Sequence, residues 1–235
     1  MRILIDIGNT KTKYLINDES FSFDTSEILS GNIPSNLLDI QNGEFYISSV
    51  NPKARDILLD NLDYSSKVSI VSPIESKSLV LIDDDMKKEL GSDIFLALNA
   101  SILNSKSFIN VDFGTALTFN LVIDSKYIGC AIAPGVYTSY NALIYKAALL
   151  NKVELKEDID VLGLNTEEAL SSGLINGYAS LFDEYINRIM DRYNLDDIDI
   201  YVTGGAYKLV KPYIKHKVIE DNNLVLNGFK AILGK

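Results

Sequence analysis

One cysteine, one histidine and five prolines are all that 235 residues offer of those types, and the first two scarcities each remove a class of chemistry. A lone Cys130 excludes an intramolecular disulfide, and with His216 as the single histidine no Cys/His zinc site can be built within one chain. Cys130 lies in an apolar stretch and is expected in the core. His216, between Lys215 and Lys217, is expected on a solvated surface. No apolar run approaches the roughly 20 residues that span a bilayer. The opening MRILIDIGNT interrupts its apolar stretch with Asp6 and Asn9, unlike a secretion signal, so no membrane partner is expected and a cytoplasmic location is. Cations are short as well. Lys and Arg number 22 against 32 Asp and Glu, and the net charge of -10 sets up a field that repels a nucleic-acid backbone. No nucleic-acid partner is expected.

What remains is an ordinary globular composition, 47% hydrophobic and 23% charged, which excludes disorder and low complexity. The length allows one large domain or two small ones sharing a cleft, and two are expected. Ile3 to Ile7 is a β-branched run, and after a Gly-Asn-Thr-Lys turn Tyr14 to Ile16 completes a hairpin. Strands are predicted at 45–50, 68–71 and 79–82, and a helix over 52–62 with Pro52 in its first turn. Residues 86–103 carry a helical pattern, with Gly91 and Ser92 as an alternative start. Three consecutive strands follow at 108–111, 117–123 and 127–133, stopped by Pro134 and Gly135. Helices are predicted at 137–150 and 166–193, then a strand at 198–202, the pair Gly204-Gly205, and two closing helices from Ala206 and Asp221. The expected class is α/β.

Within this layout one pattern occurs twice. Ile5-Asp6-Ile7-Gly8-Asn9-Thr10 and Val111-Asp112-Phe113-Gly114-Thr115-Ala116 both read apolar, Asp, apolar, Gly, polar, small. In each, a strand delivers an Asp to its end and a Gly turn lets backbone amides approach anionic oxygens, while hydroxyls add donors and the Asp can hold a hydrated cation. Either copy alone reads more simply as an ordinary β-turn. The repetition is what favours two phosphate-binding turns in corresponding halves.

Taken with these turns, the chain resembles the actin, sugar-kinase and Hsp70 superfamily and, within it, the type III pantothenate kinases. Asp6-Ile7-Gly8-Asn9-Thr10 is similar to that family's first phosphate loop, D-x-G-N-[TS], and Asp112 to Thr118 is similar to its second, D-x-G-T-A-x-T. Gly129 to Gly135 resembles a G-G-x-I-x-P-G turn with Cys130 in place of the second Gly, and Thr203-Gly204-Gly205 resembles the late T-G-G loop. Residues 165–173 are similar to the helix that reaches substrate. The resemblance implies two ribonuclease-H-like halves, 1–104 with the first loop and 105–235 with the second, gripping ATP in a cleft. It implies phosphorylation of pantothenate to 4′-phosphopantothenate, with Mg²⁺ and K⁺ or NH₄⁺ as cofactors, and a homodimer.

Carried over residue by residue, the resemblance makes Asp93 the general base and Asp6 the holder of Mg²⁺ through water. Ile7, Gly8, Asn9, Thr10, Lys11, Thr12 and Lys13 with Thr115 would line ATP, and Asp112 would bind the monovalent cation. Gly91, Ser92, Asp93, Ile94 and Thr166 would meet pantothenate, Thr166 across the dimer interface. From the residues alone, Asp93 reads first as an acid favoured by a helix N-terminus and Asp112 as a turn cap, while Asn165-Thr166-Glu167-Glu168 is equally an ordinary helix start. The family's G-x-D-R is here Gly91-Ser92-Asp93-Ile94, and Asp84 to Lys87 replaces a segment that commonly holds Tyr and Pro. An arginine on a carboxylated substrate contributes about 1.5 to 3 kcal/mol, so its absence lowers affinity roughly tenfold to a hundredfold unless Lys87 or Lys88 compensates. Two other readings follow: a nucleotide-binding homologue acting as a regulatory or partner protein, and a kinase for a different small alcohol.

Overall fold

The computed structural model describes residues 1–147, 150 and 153–234. They form two compact units, Met1–Lys106 with Val122–Tyr127 and Asn223–Lys235, and Ser107–Leu121 with Ile128–Asn222. Each unit is built on a mixed five-stranded sheet.

In the first, β1 (Arg2–Ile7) pairs antiparallel with β2 (Lys11–Ile16) and parallel with β4 (Glu44–Ser49); β3 (Glu19–Asp24) and β5 (Lys67–Ile70) close the edges in the order β3-β2-β1-β4-β5. The β2–β3 turn consists of Asn17 and Asp18, both at positive φ, as a two-residue hairpin connection of matching twist requires. β1 is central and covered on both faces, which is why Ile3, Leu4, Ile5 and Ile7 form a nearly continuous apolar run. Ile3, Ile5 and Ile7 join Phe45, Ile47, Ala54 and Leu58 in one core. Between and after the strands come α1 (Thr25–Leu29), α2 (Ser35–Leu38), α3 (Pro52–Asn61), α4 (Asp84–Glu89) and α5 (Ser92–Ser101). The Asn51 side chain caps α3, accepting from the Ala54 amide.

The second sheet contains β6 (Phe108–Phe113), β7 (Ala116–Ile123), β8 (Lys126–Pro134), β9 (Asp199–Thr203) and β10 (Ile219–Glu220) in the order β10-β9-β6-β7-β8. β6 and β10 both run parallel to β9. Two-residue connections join β6 to β7 and β7 to β8, which only antiparallel neighbours can use. Taken from the β8 edge, the order repeats that of the first sheet. The doubled sequence pattern is therefore a doubled fold, each copy at the end of its sheet's central strand. Helices α6 (Val136–Lys146) and α7 (Thr166–Tyr193), the short α8 (Tyr207–Val210) and a 3₁₀ turn (Lys211–Tyr213) complete this unit.

The last helix, α9 (Leu224–Leu233), belongs with the first unit, so the chain returns there instead of ending within a half that spans 105–235. It packs on α5 through Gly228, where a Cβ would lie 2.1 Å from the Leu96 carbonyl oxygen. Gly228→Ala must push the helices apart and should destabilise the protein by about 1 to 3 kcal/mol, read as a lowered Tm. An unchanged Tm would show that α9 is not held against α5.

Several other elements depart from the sequence reading. Residues 79–82 are not a strand: the Asn99 side chain accepts the Leu79 amide at 2.6 Å and Ser78 Oγ accepts that of Val80, leaving a single bridge between Leu81 and Lys126. The helical pattern at 86–103 breaks at Leu90 and Gly91 into α4 and α5. The helix from Ala206 is one turn long, because Pro212 cannot continue an α-helix and the chain tightens into the 3₁₀ turn. Cys130 is exposed, not core. β8 is an edge strand with a period of two, and Cys130 shares its outward face with Ile132 and Pro134. Residues 148 and 149, part of the helix expected over 137–150, lie outside the described residues, and α6 ends at Lys146.

Candidate active site

Asp6 is the next-to-last residue of β1, and Asp112 that of β6. The turns that follow close alike. The Gly8 amide donates to the Lys11 carbonyl at 3.0 Å, and the Gly114 amide to that of Ala116 at 3.1 Å. A Cβ on Gly8 would lie 2.8 Å from the Lys11 oxygen, so the turn admits no side chain there.

Thr25 holds the first turn from beneath. Its hydroxyl donates to the Gly8 carbonyl at 2.9 Å and lies 3.0 Å from Thr12 Oγ1, while its amide donates to the Thr10 carbonyl at 2.9 Å. Asn9, Thr10 and Lys11 are exposed, and Lys11 is paired with Asp24 at 2.8 Å. Ile7 and Thr12 are fully buried, backbone included, so they support the turn and do not line its surface. Lys13 stands opposite Asp6 in the β1–β2 register, on the same face of the sheet.

On its other side Asp6 stands opposite Ser48 of β4. Ser48 Oγ donates to Asp6 Oδ1 at 3.1 Å and reaches Ser92 Oγ at 3.0 Å; Ser92 Oγ also donates to the Ser49 carbonyl at 3.2 Å. All three side chains are buried. This chain of hydroxyls connects Asp6 to the first turn of α5, where Asp93 follows Ser92. Asp93 is half-buried, and burial pushes its carboxyl above the usual carboxylate range, against amide bonds from Ile94 at 2.8 Å and from its own residue that pull it down. Gly91 makes room for it, since a Cβ there would lie 2.5 Å from Asp93 Oδ1. Ile94 is half-buried, and Lys87 and Lys88 each engage an acid of their own helix, Asp84 and Asp85, at 2.8 Å.

The second turn is anchored differently. The Thr115 carbonyl accepts from the Gly135 amide at 3.0 Å and from Thr138 Oγ1 at 2.6 Å, fixing the turn to the start of α6. Gly204, at φ +100°, lies against it: a Cβ would fall 2.4 Å from Asp112 Oδ1 and 2.5 Å from the Phe113 nitrogen. The Ala206 amide donates to the Phe113 carbonyl at 3.1 Å, and Thr203 stands opposite Asp112 in the register. Thr115 is exposed beside this cradle.

Thr166 is exposed in the first turn of α7, where Asn165 caps by accepting the Glu168 amide at 3.0 Å. The segment before it exposes Val161 (72%), Leu162 (81%) and Leu164 (96%). His216 is half-buried rather than fully solvated, its ring edge-on to Phe182 and Nε2 2.9 Å from Asn187 Oδ1.

The structure thus brings Asp6, Gly8, Ser92 and Asp93 together in one unit, and Asp112, Thr115 and the Gly204 turn in the other. Ser48, Thr25 and Thr138 escaped the sequence reading because hydroxyl residues on strands and helix ends carry no pattern until the register is known. The ligating groups are oxygens, which suit Mg²⁺ and K⁺. Among the described residues no three His, Cys, Asp or Glu side chains cluster, so a cation here would rest on one carboxylate together with phosphate oxygens and water. No helix among those residues is long and apolar enough to cross a membrane.

The sequence profile of the family described as type III pantothenate kinase matches residues 2–188. A type III pantothenate kinase of Pelagibacter ubique is 35% identical, over 97% of this chain and 96% of its own. One of Thermosipho africanus is 31% identical with the same coverage. Among solved structures, a Campylobacter jejuni protein described as a Baf family transcriptional activator superposes with a TM-score of 0.64 at 22% identity, covering 98% of this chain and 96% of that one. The Alp12 filament structure superposes at 0.55 with 12% identity, covering 98% and 96%. Both are likenesses of fold.

Proposed function

The chain belongs to the type III pantothenate kinase family, and from that premise we propose that it transfers the γ-phosphoryl group of ATP to the primary hydroxyl of pantothenate, giving 4′-phosphopantothenate and ADP, the first step towards coenzyme A. The match over residues 2–188 carries this reading, because that span includes both Asp-Gly turns and Asp93.

Phosphoryl transfer asks the protein chiefly for positioning and for neutralisation of charge. Asp93 accepts the proton of the pantothenate hydroxyl as its oxygen attacks the γ-phosphorus. Burial raises its pKa, which makes it a better base than an exposed carboxylate. The Gly8 turn, with Asn9, Thr10 and Lys13, lines the polyphosphate, and Thr115 donates to it from the second turn. Asp6 would hold Mg²⁺ through water, and the ion would neutralise developing phosphate charge. Asp112, beside the Gly204 turn, would provide the carboxylate for K⁺ or NH₄⁺. The site works in the cytoplasm, where ATP and potassium are abundant.

The exposed Val161, Leu162 and Leu164 support a homodimer that covers them and carries Thr166 to the partner's substrate. Leu162→Asp with Leu164→Asp should convert a dimer to a monomer in sedimentation and raise the KM for pantothenate more than tenfold, with ATP binding unchanged. A dimer that persists would remove this surface from the interface.

Mass spectrometry of the product from pantothenate, ATP and Mg²⁺, run in parallel with K⁺, Na⁺ and NH₄⁺, tests the function. Phosphopantothenate that depends on K⁺ or NH₄⁺ is expected. No product with any cation, from protein that binds ATP, would overturn it. One observation favours a second reading, a kinase for an uncharged pantothenate analogue: Ile94 stands where the family has Arg, and Lys87 and Lys88 are already engaged.

A further inference from the structure

We propose that Ser48 is a positioning residue for this reaction, its hydroxyl holding the Asp6 carboxylate in the orientation that receives the metal and tying it to the helix turn that carries Asp93. The inference rests on the roles given to Asp6 and Asp93 above. Ser48 is fully buried, so its hydroxyl has no water to turn to, and its position opposite Asp6 is fixed by the parallel β1–β4 register. Its one proton has two acceptors within reach, Asp6 Oδ1 at 3.1 Å and Ser92 Oγ at 3.0 Å, and the carboxylate is the stronger of the two. A donor fixed on Oδ1 sets the plane of the carboxylate and so the direction in which it is presented to a metal-bound water. The same hydroxyl meets the first residue of α5, so a change in the Asp6 rotamer is felt at the turn that orients Asp93. Ser49, which accepts from Ser92 at 3.2 Å through its carbonyl, provides a backbone stop that keeps Ser92 facing Ser48. The first turn itself hangs from Thr25 and does not depend on Ser48.

Ser48→Ala removes the hydroxyl with little change of volume. A lost hydrogen bond to a charged group corresponds to roughly a tenfold or greater change. The Mg²⁺ concentration for half-maximal turnover should therefore rise about tenfold, while the KM for ATP at saturating Mg²⁺ moves less than threefold. Mn²⁺ binding in the presence of ADP and the absence of pantothenate, followed by the paramagnetic signal of the free ion, should weaken by the same factor. In an Asp6→Asn background the same substitution should weaken Mn²⁺ binding no further, because the two residues act as one unit. A residue that merely supported the fold would lower the Tm and leave the metal dependence unmoved. Unchanged Mn²⁺ affinity in Ser48→Ala, or equal weakening in both backgrounds, would overturn the proposal. Should Ser48→Ala not fold, Ser48→Cys, which keeps the side chain's size but donates weakly, is read the same way. Because the Mn²⁺ measurement needs only ADP, a wild-type protein that fails to phosphorylate pantothenate would sink the function and leave this inference standing.

Discussion

Asp93→Asn should lower kcat by roughly 10²- to 10⁴-fold while leaving the affinity for ATP nearly unchanged. The amide keeps the shape and can still accept the Ile94 amide, but it cannot take a proton from a hydroxyl. Two further signatures follow from the carboxyl being raised by burial. In the wild type, turnover at low pH should fall along a limb lying above the usual carboxylate value, and in the variant the residual rate should lose that limb. The stability effect has the opposite sign. A group whose folded pKa is raised contributes stability that is present below its unfolded value and is lost as pH rises through the folded one. Above its folded pKa the ionised Asp93 therefore costs stability, and there Asp93→Asn should have a Tm at or above that of the wild type, the gap closing in acid. An inactive variant whose Tm is lowered across the pH range would mean that Asp93 serves the helix end and not the chemistry.

The second large effect is expected at Gly204→Ala. The residue sits at φ +100°, where L side chains are strained, and its Cβ would overlap both Asp112 Oδ1 and the Phe113 backbone. Strain and overlap of about 1 to 3 kcal/mol each are a large part of a typical stability of about 5 to 15 kcal/mol. Any relaxation moves Asp112 and the second turn together. The variant should show a clearly lower Tm, turnover reduced more than tenfold, and a K⁺ activation curve shifted to higher concentration. Gly205→Ala is the control, because its Cβ would meet nothing within 4 Å. Equal losses in both variants would remove the special role of Gly204.

Much of this architecture could be read from the chain before any coordinates. β-Branched runs marked β1 and β6, and the repeated Asp-x-Gly pattern anticipated two sheets of the same order with a turn at the same place in each. The break of the helical pattern at Gly91 was visible as an alternative start, and α7 begins and ends where its cap and periodicity put it. Less legible was anything set by partners distant in sequence. Ser48 is one serine of two in a half-apolar strand, and only the parallel register opposite Asp6 gives it meaning. Residues 79–82 have strand composition, but Asn99 and Ser78 take their amides first. Cys130 lies among apolar residues, yet an edge strand turns every second side chain outward, and apolar neighbours do not reveal which. The return of α9 to the first unit depended on a glycine, Gly228, whose role appears only against Leu96.

Ile94 stands where the family has Arg, and a single competition reads its consequence. Pantothenate and pantetheine at equal concentration, with ATP, Mg²⁺ and K⁺, compete for the same enzyme, and the early product ratio measured by mass spectrometry equals the ratio of their kcat/KM values. The account predicts phosphopantothenate in excess. Phosphorylated pantetheine with no phosphopantothenate would contradict it, and would assign Asp93 to an uncharged substrate.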